Sequence, residues 1–126
     1  MEHSKKVDSG QLVAVKIIDV DSSDYHLNPS LREEAIDDFT REIAVLQQLK
    51  DARAKNINVI YEALPLHSQL WLVSEYCGGG SVHTLMKASP QGFGLEEKFI
   101  IPIAREVAVA LRFVHEAGII HRDLKC

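Results

Sequence analysis

At 126 residues, with 46% hydrophobic and 25% charged residues, the chain has the composition of an ordinary globular domain. A formal net charge of −4 gives it no basic field, which argues against nucleic acid or an anionic membrane as the main partner. Cys77 and Cys126 show neither metal-ligand nor disulfide-framework spacing, a usage that fits a reducing compartment, the cytoplasm or nucleus.

No apolar run nears the roughly 18 residues of a membrane span, and residues 1–6 lack the apolar core of a signal peptide. Residues 1–9 are polar, and Asp8-Ser9-Gly10 signals a turn. The β-branched run Leu12-Val13-Ala14-Val15-Lys16-Ile17-Ile18 that follows predicts a strand. Lys16 interrupts it. A lysine there either snorkels to water or meets a negative partner. Residues 19–29 are polar, end in Asn28-Pro29 and predict a loop. Ser30-Leu31-Arg32-Glu33 has the form of a capping box, opening a helix to about residue 49 whose buried stripe is Ile36, Phe39, Ile43 and Leu46. Glu42 falls inside the apolar arc of that helix, as a solvated charge at the stripe's edge or as the partner of a cation.

Residues 51–58 form a polar connection, and 59–66 and 70–76 read as an antiparallel pair of strands joined by Pro65-Leu66-His67-Ser68-Gln69. Gly78-Gly79-Gly80 lacks the spacing of a phosphate-binding loop and reads as a linker. A short helix over 81–86 and a loop over 87–94 come next. Residues 95–117 have a helical pattern, with Ile101, Ala104, Ala108, Leu111 and His115 on one face. Pro102 marks where its regular part starts, or else a kink, and Gly118 is placed as the left-handed residue that ends it. His115-Glu116-Ala117-Gly118-Ile119 begins like a zinc motif, but Ile119 stands where the second histidine is needed, which excludes that site.

The order of these features resembles that of a protein kinase. His121-Arg122-Asp123-Leu124-Lys125 is similar to the catalytic loop His-Arg-Asp-Leu-x-x-x-Asn, and Val13-Ala14-Val15-Lys16 to the strand Val-Ala-Ile-Lys. By that resemblance Lys16 holds the α- and β-phosphates of ATP and pairs with Glu42. Asp123 takes the proton of the substrate hydroxyl, and Lys125 sits by the transferring phosphate. Counting without a gap puts Ser74 at the back of the nucleotide pocket and makes Glu75, Tyr76 and Cys77 the hinge, where kinases bind adenine through main-chain groups. Cys77 also reads as a small buried filler, the commoner role of a cysteine. Ala14 and Ser81 complete the implied nucleotide-binding set. The run Glu75-Tyr76-Cys77-Gly78-Gly79-Gly80-Ser81 resembles the germinal-centre branch of the sterile-twenty-like kinases.

The implied fold class is α+β and kinase-like. A partial N-lobe of antiparallel strands and one helix, with the hinge, would occupy residues 1–77, and the start of the C-lobe, truncated in the catalytic loop, residues 78–126. The implied activity is ATP-dependent phosphorylation of a Ser/Thr protein substrate in signalling, with ATP and Mg2+ as cofactors. No residue of the chain is assigned as a metal ligand, because the loop asparagine would stand at position 128 and the Asp-Phe-Gly motif further on. The Gly-rich phosphate loop would end where the chain begins. The chain alone is therefore expected to be inactive. A kinase-like module that binds partners without transferring phosphate is the second reading.

Overall fold

The computed structural model describes residues 2–5, 10–22, 27–90 and 92–126. Asp8, Ser9, residues 23–26 and residue 91, all in predicted connections, lie outside the described residues. The chain forms two compact units: one runs up to Lys50 and resumes over Asn58–Tyr76, and the other comprises Asp51–Ile57 and Cys77–Cys126.

In the first unit, strands β1 (Glu2–Lys5), β2 (Leu12–Asp19), β3 (Ile60–Leu66) and β4 (Gln69–Glu75) form one antiparallel sheet in the order β1-β2-β4-β3. The polar segment before Gly10 thus contains a strand that hydrophobic alternation did not predict, paired from Glu2↔Val15 to Lys5↔Leu12. An edge strand is held by main-chain hydrogen bonds, and charged side chains are what an edge tolerates. Val13, Ala14 and Val15 are buried in succession, so both faces of β2 are covered at that point. β3 and β4 are joined by His67-Ser68 alone, a tighter turn than the five-residue link expected, with His67 in the left-handed region at φ 55°.

Helix α1 (Pro29–Asp51) begins one residue before the predicted capping box, and its cap is Asn28 rather than Ser30. Oδ1 of Asn28 accepts from the Ser30 N–H at 3.2 Å and from the Ser30 hydroxyl at 2.6 Å. Pro29 then stands in the first helical position, where its missing N–H costs nothing. Phe39 and Leu49 are buried, with Ile36, Ile43 and Leu46 half-buried beside them. A cavity of about 240 Å³ remains where Ile36, Phe39 and Ile43 face Ala63, Leu64 and Leu70.

The second unit holds α2 (Val82–Lys87) and α3 (Glu97–Glu116). Ser81 caps α2, its Oγ accepting from the Thr84 N–H at 3.2 Å. Pro102 neither starts α3 nor delimits it; it lies inside the helix, beyond the first turn. The one carbonyl it leaves without a helical donor belongs to exposed Lys98, where water can serve. At the other end Gly118 has φ 77°, and the bonds Gly118 N–H to His115 O (3.0 Å) and Ile119 N–H to Val114 O (3.1 Å) complete a Schellman motif. Open space surrounds the position an added Cβ would take, so the cost of a side chain there is conformational. Gly118→Ala is expected to cost about 1 kcal/mol, read as roughly fivefold faster hydrogen exchange at the Ile119 amide. Unchanged protection would show that the αL geometry is not what holds this end.

The polar connection between α1 and β3 groups with the second unit. Within that unit Asn56, at φ 61°, donates from Nδ2 to the Glu106 main-chain oxygen at 3.0 Å and to Glu106 Oε2 at 2.7 Å. No helix among the described residues is long and apolar enough to cross a membrane.

Candidate functional site

The register of the sheet decides which side chains of β2 and β4 meet. Ala14 lies opposite Ser74 and Lys16 opposite Leu72, and Ile60 of β3 lies opposite Ser74. Cross-strand partners share a face, so these five side chains stand together on one side of the sheet. Ser74 is buried there. Lys16 and Glu42, 26 residues apart, meet on that side, with Nζ 3.0 Å from Oε2. Their side chains retain 44% and 39% exposure. Both of the readings open for each residue are partly realised: the pair forms, and it forms half in water. A cavity of about 350 Å³ adjoins it, lined by Lys16, Glu42, Leu46, Ile60, Leu72 and Ser74 among others. The lysine is thus a fixed cation beside a hollow with an apolar wall.

Glu75 at the end of β4 is engaged twice by Val59. Its N–H donates to the Val59 carbonyl at 2.9 Å, and its Oε1 accepts from the Val59 N–H at 2.9 Å. Nothing in the sequence pattern marks that side chain, because its partner is a main-chain group 16 residues away. Tyr76 and Cys77 follow, both exposed, so Cys77 is not a buried filler.

In the second unit the hydroxyl of Ser81 is already engaged as a helix cap and lies 3.0 Å from the Thr84 hydroxyl. The terminal stretch is exposed throughout, with Arg122 at φ 67°. The Asp123 N–H donates to His121 Nδ1 at 3.1 Å, and Lys125 Nζ is 3.4 Å from Asp123 Oδ2. Asp123 and Lys125 are therefore together, as their motif places them, with 75% of each side chain open to solvent. Lys16, Glu42, Ala14, Ser74 and Glu75 belong to the first unit, and Cys77, Ser81, Asp123 and Lys125 to the second.

Residues 2–126 match the family model described as "Protein kinase domain". The chain belongs to the protein kinase family. This kinase chain is 33% identical over 119 residues to serine/threonine-protein kinase KIC1 of Saccharomyces cerevisiae, covering 94% of its own length and 10% of that protein's. It is 36% identical over 117 residues to serine/threonine-protein kinase dst1 of Dictyostelium discoideum, with 93% and 14% covered. Over 127 residues it is 35% identical to Misshapen-like kinase 1 of Rattus norvegicus, with 96% and 8% covered. The chain thus spans roughly a tenth of the length of these curated relatives. The first two of these relatives are named serine/threonine-protein kinases, which agrees with the resemblance to the sterile-twenty-like kinases, and the sheet and helices are a partial kinase N-lobe followed by the start of a C-lobe.

Protein kinases as a family use ATP and Mg2+. In the first unit, a lysine cation held by a carboxylate fits the phosphates of the nucleotide. Among the described residues no group of three or more His, Cys, Asp or Glu side chains could hold one, so the magnesium ligands of the family are not assigned here.

Proposed function

We propose that this chain is the nucleotide-orienting part of an ATP-dependent serine/threonine protein kinase acting in cytoplasmic or nuclear signalling. In this reading residues 1–77 are the partial small lobe with its hinge, and residues 78–126 open the large lobe. The observation that carries it is the Lys16–Glu42 pair at 3.0 Å, formed between β2 and α1 beside a cavity. A cation that interacts with phosphate must be kept from wandering, and the carboxylate does this at one fixed distance. Bound ATP supplies the phosphoryl group. Ala14 and Ser74 lie on the Lys16 face of the sheet, where they border the nucleotide, and residues 75–77, with Ser81, meet it through the hinge. Asp123 accepts the proton of the Ser or Thr hydroxyl of the protein substrate, and Lys125 offsets charge on the phosphate in transit.

The test is transfer of phosphate from ATP to a protein acceptor by a protein carrying this chain within a complete kinase domain. Asp123→Asn is expected to lower kcat by about a thousandfold, within the range typical of a general base. The 126-residue chain by itself is expected to transfer none. Tight ATP binding with no transfer in the wild-type domain, or full transfer in Asp123→Asn, would sink this reading and favour a non-catalytic binding module.

A further inference from the structure

At the end of β4 the regular ladder is interrupted by an exchange of acceptors. The Glu75 N–H points to the β3 side, where it donates to the Val59 carbonyl. In an antiparallel strand the N–H and C=O of one residue face the same neighbour, so the Glu75 carbonyl faces that side too. In a regular ladder its donor would be the Val59 N–H, but that group donates to Glu75 Oε1 at 2.9 Å. The side chain has taken the place of its own main-chain oxygen. The register of β3 also shifts close by, between Ile60 and Glu62, one step beyond the pair Ile60↔Ser74. A carboxylate outcompetes a neutral carbonyl for one N–H, because hydrogen bonds to an ionised acceptor are roughly twice as strong.

We propose that Glu75 is a positioning residue whose carboxylate holds the Val59 N–H, keeping the Glu75 main-chain carbonyl available to accept from the 6-amino group of a bound adenine nucleotide. This rests on the kinase reading above and adds to it the device that keeps one hinge acceptor open. Without the carboxylate, the Val59 N–H turns to the Glu75 carbonyl, its partner in a regular ladder, and the ladder closes. The side chain acts through the main chain and does not itself touch the base.

The experiment measures binding, without turnover, of ATP and of purine riboside 5′-triphosphate, which lacks the 6-amino group. Titration calorimetry on the complete kinase domain is the readout. Wild type is expected to prefer ATP by about threefold to tenfold, the worth of one ordinary hydrogen bond. Glu75→Ala is expected to bring that ratio near one by weakening ATP alone. Glu75→Gln, whose amide oxygen still accepts from the Val59 N–H, is expected to keep it. Equal weakening of both triphosphates in Glu75→Ala would show a merely structural role and overturn the inference, as would an undiminished ratio in that variant or a lost one in Glu75→Gln. A wild-type ratio near one overturns it with no variant at all, should Glu75→Ala fail to fold. Wild type binding neither triphosphate overturns the kinase reading itself, and this inference with it.

Discussion

Lys16→Met in a complete kinase domain is expected to lower kcat/KM for phosphoryl transfer by about a hundredfold or more, the scale of removing one charge-stabilising donor. Glu42→Gln should lower it less, by about tenfold, since the amide still offers an oxygen to the ammonium at reduced attraction. The double variant should be little worse than Lys16→Met alone. Glu42 acts on phosphate only through Lys16, and once the lysine is gone there is nothing left for it to hold. Stability should respond very differently. With side chains 44% and 39% exposed, neither charge is stranded when its partner is removed, and an exposed pair contributes only about 0.2–1 kcal/mol. A double-mutant cycle run on kcat/KM and on the unfolding midpoint separates the two. Full additivity in kcat/KM would show that the pair does not act as a unit. A large loss of stability in either variant would show that the pair carries more weight than its exposure implies.

That difference between position and environment runs through the whole chain. The stripe of Ile36, Phe39, Ile43 and Leu46 and the β-branched run around Val13 were legible because periodicity reports which face is covered. Lys16 and Glu42 were legible as anomalies within those patterns, and their meeting could be anticipated. Their exposure could not, because it depends on how much of the face beside Leu46 and Leu72 is filled. β1 was illegible because an edge strand is specified by hydrogen bonds to Leu12 through Val15, which leave no trace in side-chain hydrophobicity. The cap of α1 was misread by two residues. Asn28 and Ser30 are both good capping residues, and Pro29 between them decides the matter by fixing its own φ in the first turn. The side-chain bonds of Glu75 and Asn56 were missed for a common reason: each runs to main chain far along the sequence, Val59 in one case and Glu106 in the other. The αL tendency of asparagine was the one available hint for Asn56.

The 126-residue chain in isolation is expected to show helical far-UV circular dichroism but no sharp calorimetric transition over its second unit, with dye binding typical of exposed apolar surface. Of the buried hydrophobic residues, Val13, Ala14, Val15, Val20, Phe39, Leu49 and Leu72 belong to the first unit, and among the described residues only Val114 belongs to the second. A unit with one buried aliphatic side chain has no core to melt cooperatively. Helix α3 meanwhile leaves Phe99 51% exposed, Ile100 48% and Ile101 57%, with Val107 also open to water. Burying each such side chain is worth about 1.5–3 kcal/mol, against a whole-domain stability of only about 5–15 kcal/mol. At roughly half exposure, four of them on one helix forfeit several kcal/mol, a large share of the stability of a domain. The cavity of about 500 Å³ among Leu85, Leu95, Phe99 and Ile103 adds packing that is not made. Local hydrogen bonds, including the Schellman closure at Gly118 and the cap at Ser81, keep the helical backbone favourable without fixing the side chains, which is the combination that gives helix signal without cooperativity. Scanning calorimetry of the purified chain, with exchange rates of the α3 amides beside it, makes the check. A single sharp transition that takes α3 with it would show that the exposed residues find partners in solution, most simply in a second copy, and dilution of the sample would then lower the midpoint.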